Sequence, residues 1–265
     1  TKLRLHNWKS FEDSTLYIDP LIFLIGTNAS GKSNVLDAFD FLRLHLNGVS
    51  LESAINQIRG GEDWIIKKGK QNAWIEVIVE EDGSNIAGVL ASLKEDEKRS
   101  LEEKLTKYIR PLPERDINKM ETVTVGLSNT DAMLYCYEDW NPDVPVDARG
   151  MSDGTLRFAA IVVALLTIKP NSLLVIEEID NGLHPSRAKE LVKVLKEISQ
   201  ERSVDVLCTT HNPVLVSELG NEMIPFISYV VRDEKGNSNI CLLEDKVNLA
   251  KLMASGNVGD LNDYG

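Results

Sequence analysis

The amino-acid sequence predicts an α/β fold: a mostly parallel central sheet that carries helices, together with an N-terminal antiparallel β portion and a helical lobe. Two observations support this prediction. Leu21–Ile25 is a continuous apolar run, typical of a strand buried on both faces, and it leads through the glycine-containing segment Gly26–Ser33 into a helical pattern. Two later apolar runs, Leu173–Ile176 and Val204–Thr209, are also followed by helical patterns. Because strands and helices alternate, the sheet is expected to be largely parallel.

The residues before the first buried strand alternate in polarity. Apolar residues recur at Leu3 and Leu5 and again at Leu16 and Ile18. This period of two predicts two short strands, joined by a turn around residues 9–14. After the buried strand, apolar residues recur with helical spacing from Lys32 to Leu46, which predicts a helix there.

Residues 47–150 have a less regular pattern. Strands are predicted at Trp74–Val79, Thr122–Val125 and Ala132–Tyr137. Lys94–Tyr108 has the pattern of a charged amphipathic helix, which we interpret as a packing helix, a short projection being the alternative.

Regular patterns return from Asp153 onwards. Helices are predicted at Asp153–Ile168, Pro185–Ser199 and Pro213–Leu219, and late strands at Ile227–Val231 and Ile240–Leu243. The two late strands are expected to form a hairpin around Lys235–Gly236.

Composition narrows the class of protein. Apolar residues make up 43% and charged residues 26% of the chain, as in a globular protein. The longest uninterrupted apolar stretch, Phe158–Leu166, is about half the length of a membrane span, so no membrane association is expected. The three cysteines show no metal-ligand spacing and lie among apolar or β-forming residues, which favours reduced core residues of a cytoplasmic protein: Cys136, Cys208 and Cys241.

The net charge of −12 counts against a protein that grips nucleic acid over a large surface. Small basic clusters nevertheless occur around Lys2, Arg4 and Lys9 and around residues 67–70. Nucleic acid therefore remains a possible partner that the charge does not support.

Gly26–Ser33 matches the phosphate-loop pattern G-x-x-x-x-G-K-[ST] between a buried strand and a helix. Its glycines let the backbone curl so that N–H groups point at phosphate oxygens. Lys32 is expected to reach the β- and γ-phosphates, and the Ser33 hydroxyl to bind Mg²⁺. The residues that we expect to contact the nucleotide here are Gly26, Asn28, Ala29, Ser30, Gly31, Lys32, Ser33 and Asn34.

Two acids follow the strand Leu173–Ile176 directly, at the end of the strand where ligands bind in open α/β sheets. Glu177 and Glu178 can divide the work of a hydrolase, one in the Mg²⁺ shell and the other orienting or deprotonating the attacking water. His211 follows a strand that we expect beside the phosphate-loop strand, from where it can donate a hydrogen bond to a γ-phosphate.

Together these motifs resemble an ABC-type ATPase head of the RecF, SMC, Rad50 and OLD group, and more narrowly the bacterial AAA15 and AAA21 predicted ATPases. The resemblance covers nearly the whole chain. The opening Leu5–Phe11 looks like the family's NFKSF start, with Trp8 in place of Phe, and Gly26–Asn34 looks like its Walker A loop. Ser152–Arg157 occupies the position of the signature motif, Glu177–Glu178 that of Walker B, and Asp180–Pro185 that of the D-loop.

The resemblance implies roles and a cofactor set of ATP and Mg²⁺. It implies that ATP is sandwiched between two copies, with Ser152 and Gly154 of one copy contacting the γ-phosphate held by the other and Asp180 in the D-loop beside it. It further implies that Glu178 is the catalytic base, Glu177 the acid of the Mg²⁺ shell and His211 the γ-phosphate sensor.

The sequence departs from the family pattern at several places. Asp153 and Thr155 replace a Gly and a Gln of the transporter-type signature, and a negative charge near phosphate predicts slow hydrolysis. Glu177 stands where Asp is more usual. The glutamine that links the metal to the lobe interface has two candidates, Gln57 and Gln71.

We expect a single ABC-type ATPase domain, with a nucleotide-binding lobe from residues 1–46 and 170–265 and an intervening lobe from residues 47–169. The resemblance implies an ATP-dependent homodimer or higher oligomer, acting with a separate effector protein in a bacterial defence or toxin system. The alternatives are a RecF-like DNA-repair ATPase activated by nucleic acid and a non-hydrolysing, nucleotide-locked scaffold.

Overall fold

The computed structural model describes residues 2–18, 20–69, 74–76, 94–112, 117–125, 131–181 and 183–246. The chain divides into two compact units. The first comprises Thr1–Glu81, Asn171–Ile179 and Ser203–Gly265, and the second comprises Asp82–Pro170 and Asp180–Arg202.

The first unit contains a five-stranded sheet in the order β11-β10-β3-β9-β8. The strands are β3 (Leu21–Ile25), β8 (Leu173–Ile176), β9 (Asp205–Thr210), β10 (Ile227–Arg232) and β11 (Ser238–Leu242). The pairs β10–β3, β3–β9 and β9–β8 are parallel, and β11 is antiparallel to β10. All five residues of β3 are buried, as the continuous apolar run predicts. Parallel strands end at the same edge, so the segments after β3, β8 and β9 lie side by side.

A smaller antiparallel sheet of the order β2-β1-β4 completes the β structure of the first unit. Its strands are β1 (Lys2–His6), β2 (Asp13–Tyr17) and β4 (Trp74–Glu76). Leu3, Leu5 and Leu16 point to one face and are buried, which is the consequence of the period-two alternation. They belong to a core cluster that also contains apolar residues of the large sheet, among them Leu207 and Val230.

Four helices of the described residues belong to the first unit: α1 (Lys32–Leu46), α2 (Leu51–Gln57), α3 (Glu62–Ile65) and α7 (Pro213–Glu218). Helix α1 buries Val35, Leu36 and Phe39 in the core, on the side that the helical spacing predicts.

The second unit has an antiparallel sheet of the order β5-β6-β7, formed by β5 (Ile117–Val125), β6 (Asp131–Glu138) and β7 (Asn141–Asp147). Its helices are α4 (Glu95–Ile109), α5 (Asp153–Thr167) and α6 (Pro185–Arg202). Helix α4 packs against β5 and α5 and buries Leu101 and Leu105, so it is a packing helix.

Most predicted elements are confirmed, several of them to the residue, such as β3, β8 and α1. Strand β7 was not predicted, because Pro142 and Pro145 argue against a central strand; β7 lies at the edge of its sheet, where proline is tolerated. Helix α6 groups with the second unit, whereas our division into lobes assigned residues 170–265 to the nucleotide-binding lobe; that division stays a prediction. Residues 77–79 and Gln71 lie outside the described residues.

In the part of the chain that the structure describes, no helix has both the length and the apolar character of a membrane span.

Candidate nucleotide-binding site

The segment Gly26–Ser33 connects β3 to α1 and takes the backbone conformations of a curled loop. Gly26, Ala29 and Gly31 have positive φ angles of 149°, 63° and 119°. A Cβ atom at Gly26 would lie 2.5 Å from the carbonyl oxygen of Val230, and one at Gly31 would lie 2.5 Å from Ser238 Oγ. Both positions therefore require glycine, as the motif predicts. Helix α1 begins directly after this loop, and the N-terminus of a helix favours an anion.

Lys32 lies beneath the loop and is buried. Its Nζ donates hydrogen bonds to the carbonyl oxygens of Gly26 at 2.7 Å and Thr27 at 2.9 Å. Burial lowers the pKa of Lys32, while the carboxylates of Glu178 and Glu177 act in the opposite direction. The amine is thus placed within the curl of the loop, where phosphate groups are expected.

Ser33 and Glu177 meet at the edge of the sheet, where β3 and β8 end. Ser33 Oγ donates a hydrogen bond of 2.9 Å to Glu177 Oε1. A hydroxyl and a carboxylate oxygen at this separation form the kind of small donor set with which proteins hold Mg²⁺ beside a bound phosphate, the remaining positions being filled by water and phosphate oxygens. The pair predicted from the sequence is therefore brought together, and its chemistry fits the cation.

Arg59 contacts the same acid, and sequence reasoning missed it. Its Nη1 and Nη2 lie 3.2 and 3.4 Å from the two carboxylate oxygens of Glu177, and its Nε donates to Asp37 Oδ1 at 2.8 Å. Partial burial opposes the protonated form, but the hydrogen bonds to Asp37 and Glu177 outweigh it and raise the pKa of Arg59. Arg59 thus helps to hold Glu177 in place, and its Nη1 contacts the same oxygen, Oε1, to which Ser33 donates.

Asp37 in turn pairs with Lys9, with 2.7 Å between Lys9 Nζ and Asp37 Oδ2. Both side chains are almost fully buried, at 6% and 3% exposure. Leaving a buried charge unpaired is costly, so the charge of Lys9 depends on Asp37, which Arg59 also contacts. An acid on α1 and an arginine after α2 give no local sequence signal, because their relation exists only in the folded chain.

The opening segment Leu5–Phe11 supports the loop from outside. Trp8 Nε1 donates to the carbonyl oxygen of Asn34 at 2.7 Å, and Asn34 Nδ2 donates to Ser10 Oγ at 2.8 Å. Ser238 Oγ lies 2.5 Å from the Ser30 carbonyl oxygen and 2.8 Å from Ser10 Oγ. This part of the family motif therefore anchors the start of α1 and the phosphate loop to strand β11.

Glu178 has a backbone conformation that is unusual for a non-glycine residue, with φ of 48°. Its N–H donates to Thr209 Oγ1 at 2.9 Å, which ties the turn after β8 to β9. Such strained positions cost of order 1–3 kcal/mol and cluster at active sites. His211 Nδ1 lies 3.8 Å from Glu178 Oε1, and both side chains are half-exposed at 43% and 47%. The predicted base and the predicted sensor are therefore neighbours facing solvent.

A cleft of about 990 Å³ opens beside Ser33 and Asn34. Its wall contains the exposed indole of Trp64, and six basic residues line it: Lys9, Arg59, Lys67, Lys68, Arg232 and Lys235. The volume lies at the upper end of the range of small-molecule sites.

Three further predicted residues, Ser152, Gly154 and Asp180, belong to the second unit. Ser152 is exposed and precedes α5, and its Oγ accepts a hydrogen bond of 3.2 Å from the N–H of Thr155. Gly154 is buried in the first turn of the helix. Asp180 is half-buried in the turn after Ile179, and its carbonyl oxygen accepts from the N–H of Leu183 at 3.0 Å. Gln57, one of the two candidates for the linking glutamine, is exposed at the end of α2.

The first unit therefore assembles the phosphate loop, Glu177, Glu178 and His211 at one edge of the large sheet. Ser152 and Gly154 form a separate motif in the second unit, at the start of a helix whose first-turn N–H groups favour an anion.

Two protein families match this chain. Residues 72–217 match the AAA_21 family, described as "AAA domain, putative AbiEii toxin, Type IV TA system". Residues 1–134 match the AAA_15 family, described as "AAA ATPase domain". Each match covers about half of the chain or more. The "ABC transporter G family member 22" of Dictyostelium discoideum is 37% identical over 65 residues, which are 24% of this chain. This chain spans only 10% of the length of that relative.

Solved structures of SMC heads are similar in fold. An SMC head bound to the C-winged helix domain of ScpA has a TM-score of 0.62 and 15% identity, over 96% of this chain and 98% of that chain. The SMC head domain from Thermotoga maritima has a TM-score of 0.56 and 18% identity, over 91% and 98%. An SMC head with an extended coiled coil, bound to the C-terminal domain of ScpA derived from Pyrococcus furiosus, has a TM-score of 0.54 and 13% identity, over 96% and 97%. The predicted fold of an ABC-type ATPase head is confirmed.

Proposed function

We propose an ATPase function for this chain, which belongs to the AAA_21 and AAA_15 families of ATPase domains. The chain binds ATP with Mg²⁺ at the phosphate loop and hydrolyses it to ADP and phosphate. The single observation that carries the proposal is the meeting of Ser33 and Glu177 at 2.9 Å beside a loop that curls around the amine of Lys32.

The phosphate groups of ATP are expected to lie over the loop. Backbone N–H groups of a curled loop at a helix N-terminus attract anions, and the amine of Lys32 adds a full positive charge within the curl. The amine donates to two neutral carbonyl oxygens, and its bond to a negatively charged phosphate oxygen would be stronger than these. ATP can therefore draw Lys32 away from them.

The adjacent cleft suits the nucleoside part of ATP. The exposed ring of Trp64 offers a flat surface for a base, and Lys67 and Lys68 bring positive charge to the same cleft. Because Ser33 and Asn34 belong both to the phosphate loop and to the cleft wall, one molecule of ATP can occupy both.

Ser33 and Glu177 would hold Mg²⁺, which when bound neutralises charge on the phosphate oxygens. Arg59 fixes the carboxylate of Glu177 by contacting both of its oxygens. Glu178 faces solvent beside His211, so a water molecule can reach its carboxylate. We assign to Glu178 the orientation and deprotonation of the attacking water and to His211 a hydrogen bond to the γ-phosphate.

We further propose that ATP is bound between two copies of this chain. Ser152 is exposed at the start of α5, where its hydroxyl and the helix N–H groups can meet a phosphate. Self-association around ATP would bring the Ser152 and Gly154 of one copy to the γ-phosphate held by the other. The D-loop residue Asp180 is proposed to lie beside this phosphate.

The proposed biological role is that of an ATPase or sensor subunit in a bacterial defence or toxin system, located in the cytoplasm. The description of the AAA_21 family, which includes a toxin–antitoxin system, supports this role. A separate effector protein is the proposed partner.

The test compares ATP turnover by the wild type with that of Glu178→Gln. We expect the variant to retain ATP binding, to lose about two to four orders of magnitude in turnover, and to accumulate as an ATP-bound dimer. Glu103→Gln, the same change on an exposed position of α4, is the control and should hydrolyse ATP like the wild type. Wild-type turnover by Glu178→Gln would contradict the assignment.

A further inference from the structure

Arg187 is a buried cation in the first turn of α6, with 3% of its surface exposed. Arginine is seldom buried unless its charge is held by specific partners. Its Nη1 donates hydrogen bonds to Ser152 Oγ at 3.2 Å and to Thr155 Oγ1 at 3.0 Å. The guanidinium therefore contacts two hydroxyl groups at the start of α5.

These contacts determine whether the Ser152 hydroxyl can donate or accept a hydrogen bond with a ligand. A guanidinium only donates hydrogen bonds, and a hydroxyl has two lone pairs and one proton. Ser152 Oγ accepts from Arg187 and also from the backbone N–H of Thr155 at 3.2 Å. With both lone pairs engaged, the proton is the part of this hydroxyl that an approaching molecule can use.

The hydroxyl groups of Ser152 and Thr155 differ in their exposure to solvent, so only one of them can meet a ligand. Thr155 is completely buried, whereas Ser152 is exposed. The two oxygens lie 2.9 Å apart, and either can donate to the other. The Ser152 proton can thus turn from Thr155 towards an acceptor outside the protein, while Arg187 keeps the oxygen in place.

The positive charge of Arg187 and the N-terminus of α5 both favour an anion at Ser152. The first-turn N–H groups of α5 favour an anion, and a buried guanidinium behind them adds positive potential that water screens little. Asp153 is exposed, so its opposing charge is screened more strongly. The arrangement suits an anionic acceptor, in spite of the acid in the signature.

We propose that Arg187 is the positioning residue of the signature motif: it fixes the Ser152 hydroxyl as a hydrogen-bond donor for the γ-phosphate of ATP held by a second copy. The inference rests on the proposed function, because it takes ATP as the anion that Ser152 meets. Arg187 itself acts through Ser152 and does not touch ATP.

The test starts from Arg187→Met, which keeps the length and removes the charge and the donors. We expect turnover to fall about ten-fold to a hundred-fold, the usual weight of a hydrogen bond to a charged group, with ATP affinity of the single chain unchanged within two-fold. Arg187→Lys restores the charge and a donor and should recover part of the turnover. Arg202→Met removes a half-buried arginine at the other end of the same helix and should stay within two-fold of the wild type.

A double-mutant cycle separates positioning from general support of the fold. If Arg187 acts through the Ser152 hydroxyl, combining Arg187→Met with Ser152→Ala should be no slower than the slower single variant. Multiplied losses would overturn the inference, as would turnover within two-fold of the wild type in a folded Arg187→Met. Should circular dichroism show Arg187→Met to be unfolded, Arg187→Lys replaces it in the same cycle with the same two readings.

The Lys32→Ala variant shows whether a negative result concerns Arg187 alone or the proposed ATPase function as well. If Lys32→Ala abolishes turnover and Arg187→Met does not, only the inference about Arg187 fails. If the wild type releases no phosphate from ATP, or if Lys32→Ala hydrolyses ATP normally, both the proposed function and the inference fail.

Discussion

Each of the two units contains a serine hydroxyl that is hydrogen-bonded to a charged side chain, but the two charges have opposite signs. In the first unit Ser33 donates to the carboxylate of Glu177, so its lone pairs remain for a cation. In the second unit Ser152 accepts from Arg187, so its proton remains for an anion. In the proposed function, the same type of side chain therefore contacts Mg²⁺ in one unit and phosphate in the other. This comparison indicates that the charge of the neighbouring side chain determines whether a serine hydroxyl suits a cation or an anion.

The largest expected effect concerns the first unit alone. Lys32→Ala removes the amine from the curl of the phosphate loop and should weaken ATP binding about a hundred-fold or more while the fold survives. Binding of a fluorescent ATP analogue to the single chain measures this. Lys193→Ala, an exposed lysine paired with Glu190, is the control and should bind like the wild type. Equal affinity in a folded Lys32→Ala would show that the loop is not the ATP site.

A smaller effect is expected where the cation binds. Glu177→Gln removes the negative charge that Ser33 and Arg59 contact, so the Mg²⁺ concentration for half-maximal turnover should rise about ten-fold. A magnesium titration of ATP turnover tests this. The control is Ser152→Ala, which should lower turnover without shifting the magnesium midpoint. A midpoint equal to that of the wild type in Glu177→Gln would place the metal elsewhere.

The smallest effect is expected in the signature of the second unit. Asp153→Asn removes an exposed negative charge near the proposed phosphate and should raise turnover about two-fold to five-fold at low ionic strength, with little change at high salt. Turnover at two salt concentrations measures the effect. Asp143→Asn, an exposed acid on β7, should change nothing. A lower turnover in Asp153→Asn would mean that the acid serves catalysis.

The phosphate loop could be predicted because its physical requirements are local. Glycines at positive φ, a lysine and a serine follow one another between a buried strand and a helix, and the chain shows all of them in order. Glu177 and His211 could also be predicted, because each follows a strand of the parallel sheet and parallel strands end at a common edge.

The supporting charges could not be predicted in this way. Asp37, Arg59 and Arg187 are separated in sequence from the residues they hold, and each has an ordinary local context. A buried acid on α1 looks like any polar position of an amphipathic helix until its partners Lys9 and Arg59 are in place. Only the folded chain reveals that these charges are paired.

The central claim is that one ATP site needs residues from two copies of the chain, and a mixture of two inactive variants tests it most directly. Lys32→Ala lacks the amine in the phosphate loop, and Ser152→Arg fills the space for the γ-phosphate at the signature. In a heterodimer with shared sites, one site carries both lesions and the other carries neither. The measurement is ATP turnover of each variant alone and of the equimolar mixture, at concentrations where the wild type is dimeric.

The account predicts that each variant alone is nearly inactive and that heterodimers recover up to about half of the wild-type activity per dimer, because one intact site is restored. If each site lay within a single chain, every heterodimer would hold two singly damaged sites. A mixture as inactive as its components, with heterodimers shown to form by a pull-down of differently tagged chains, would contradict the claim.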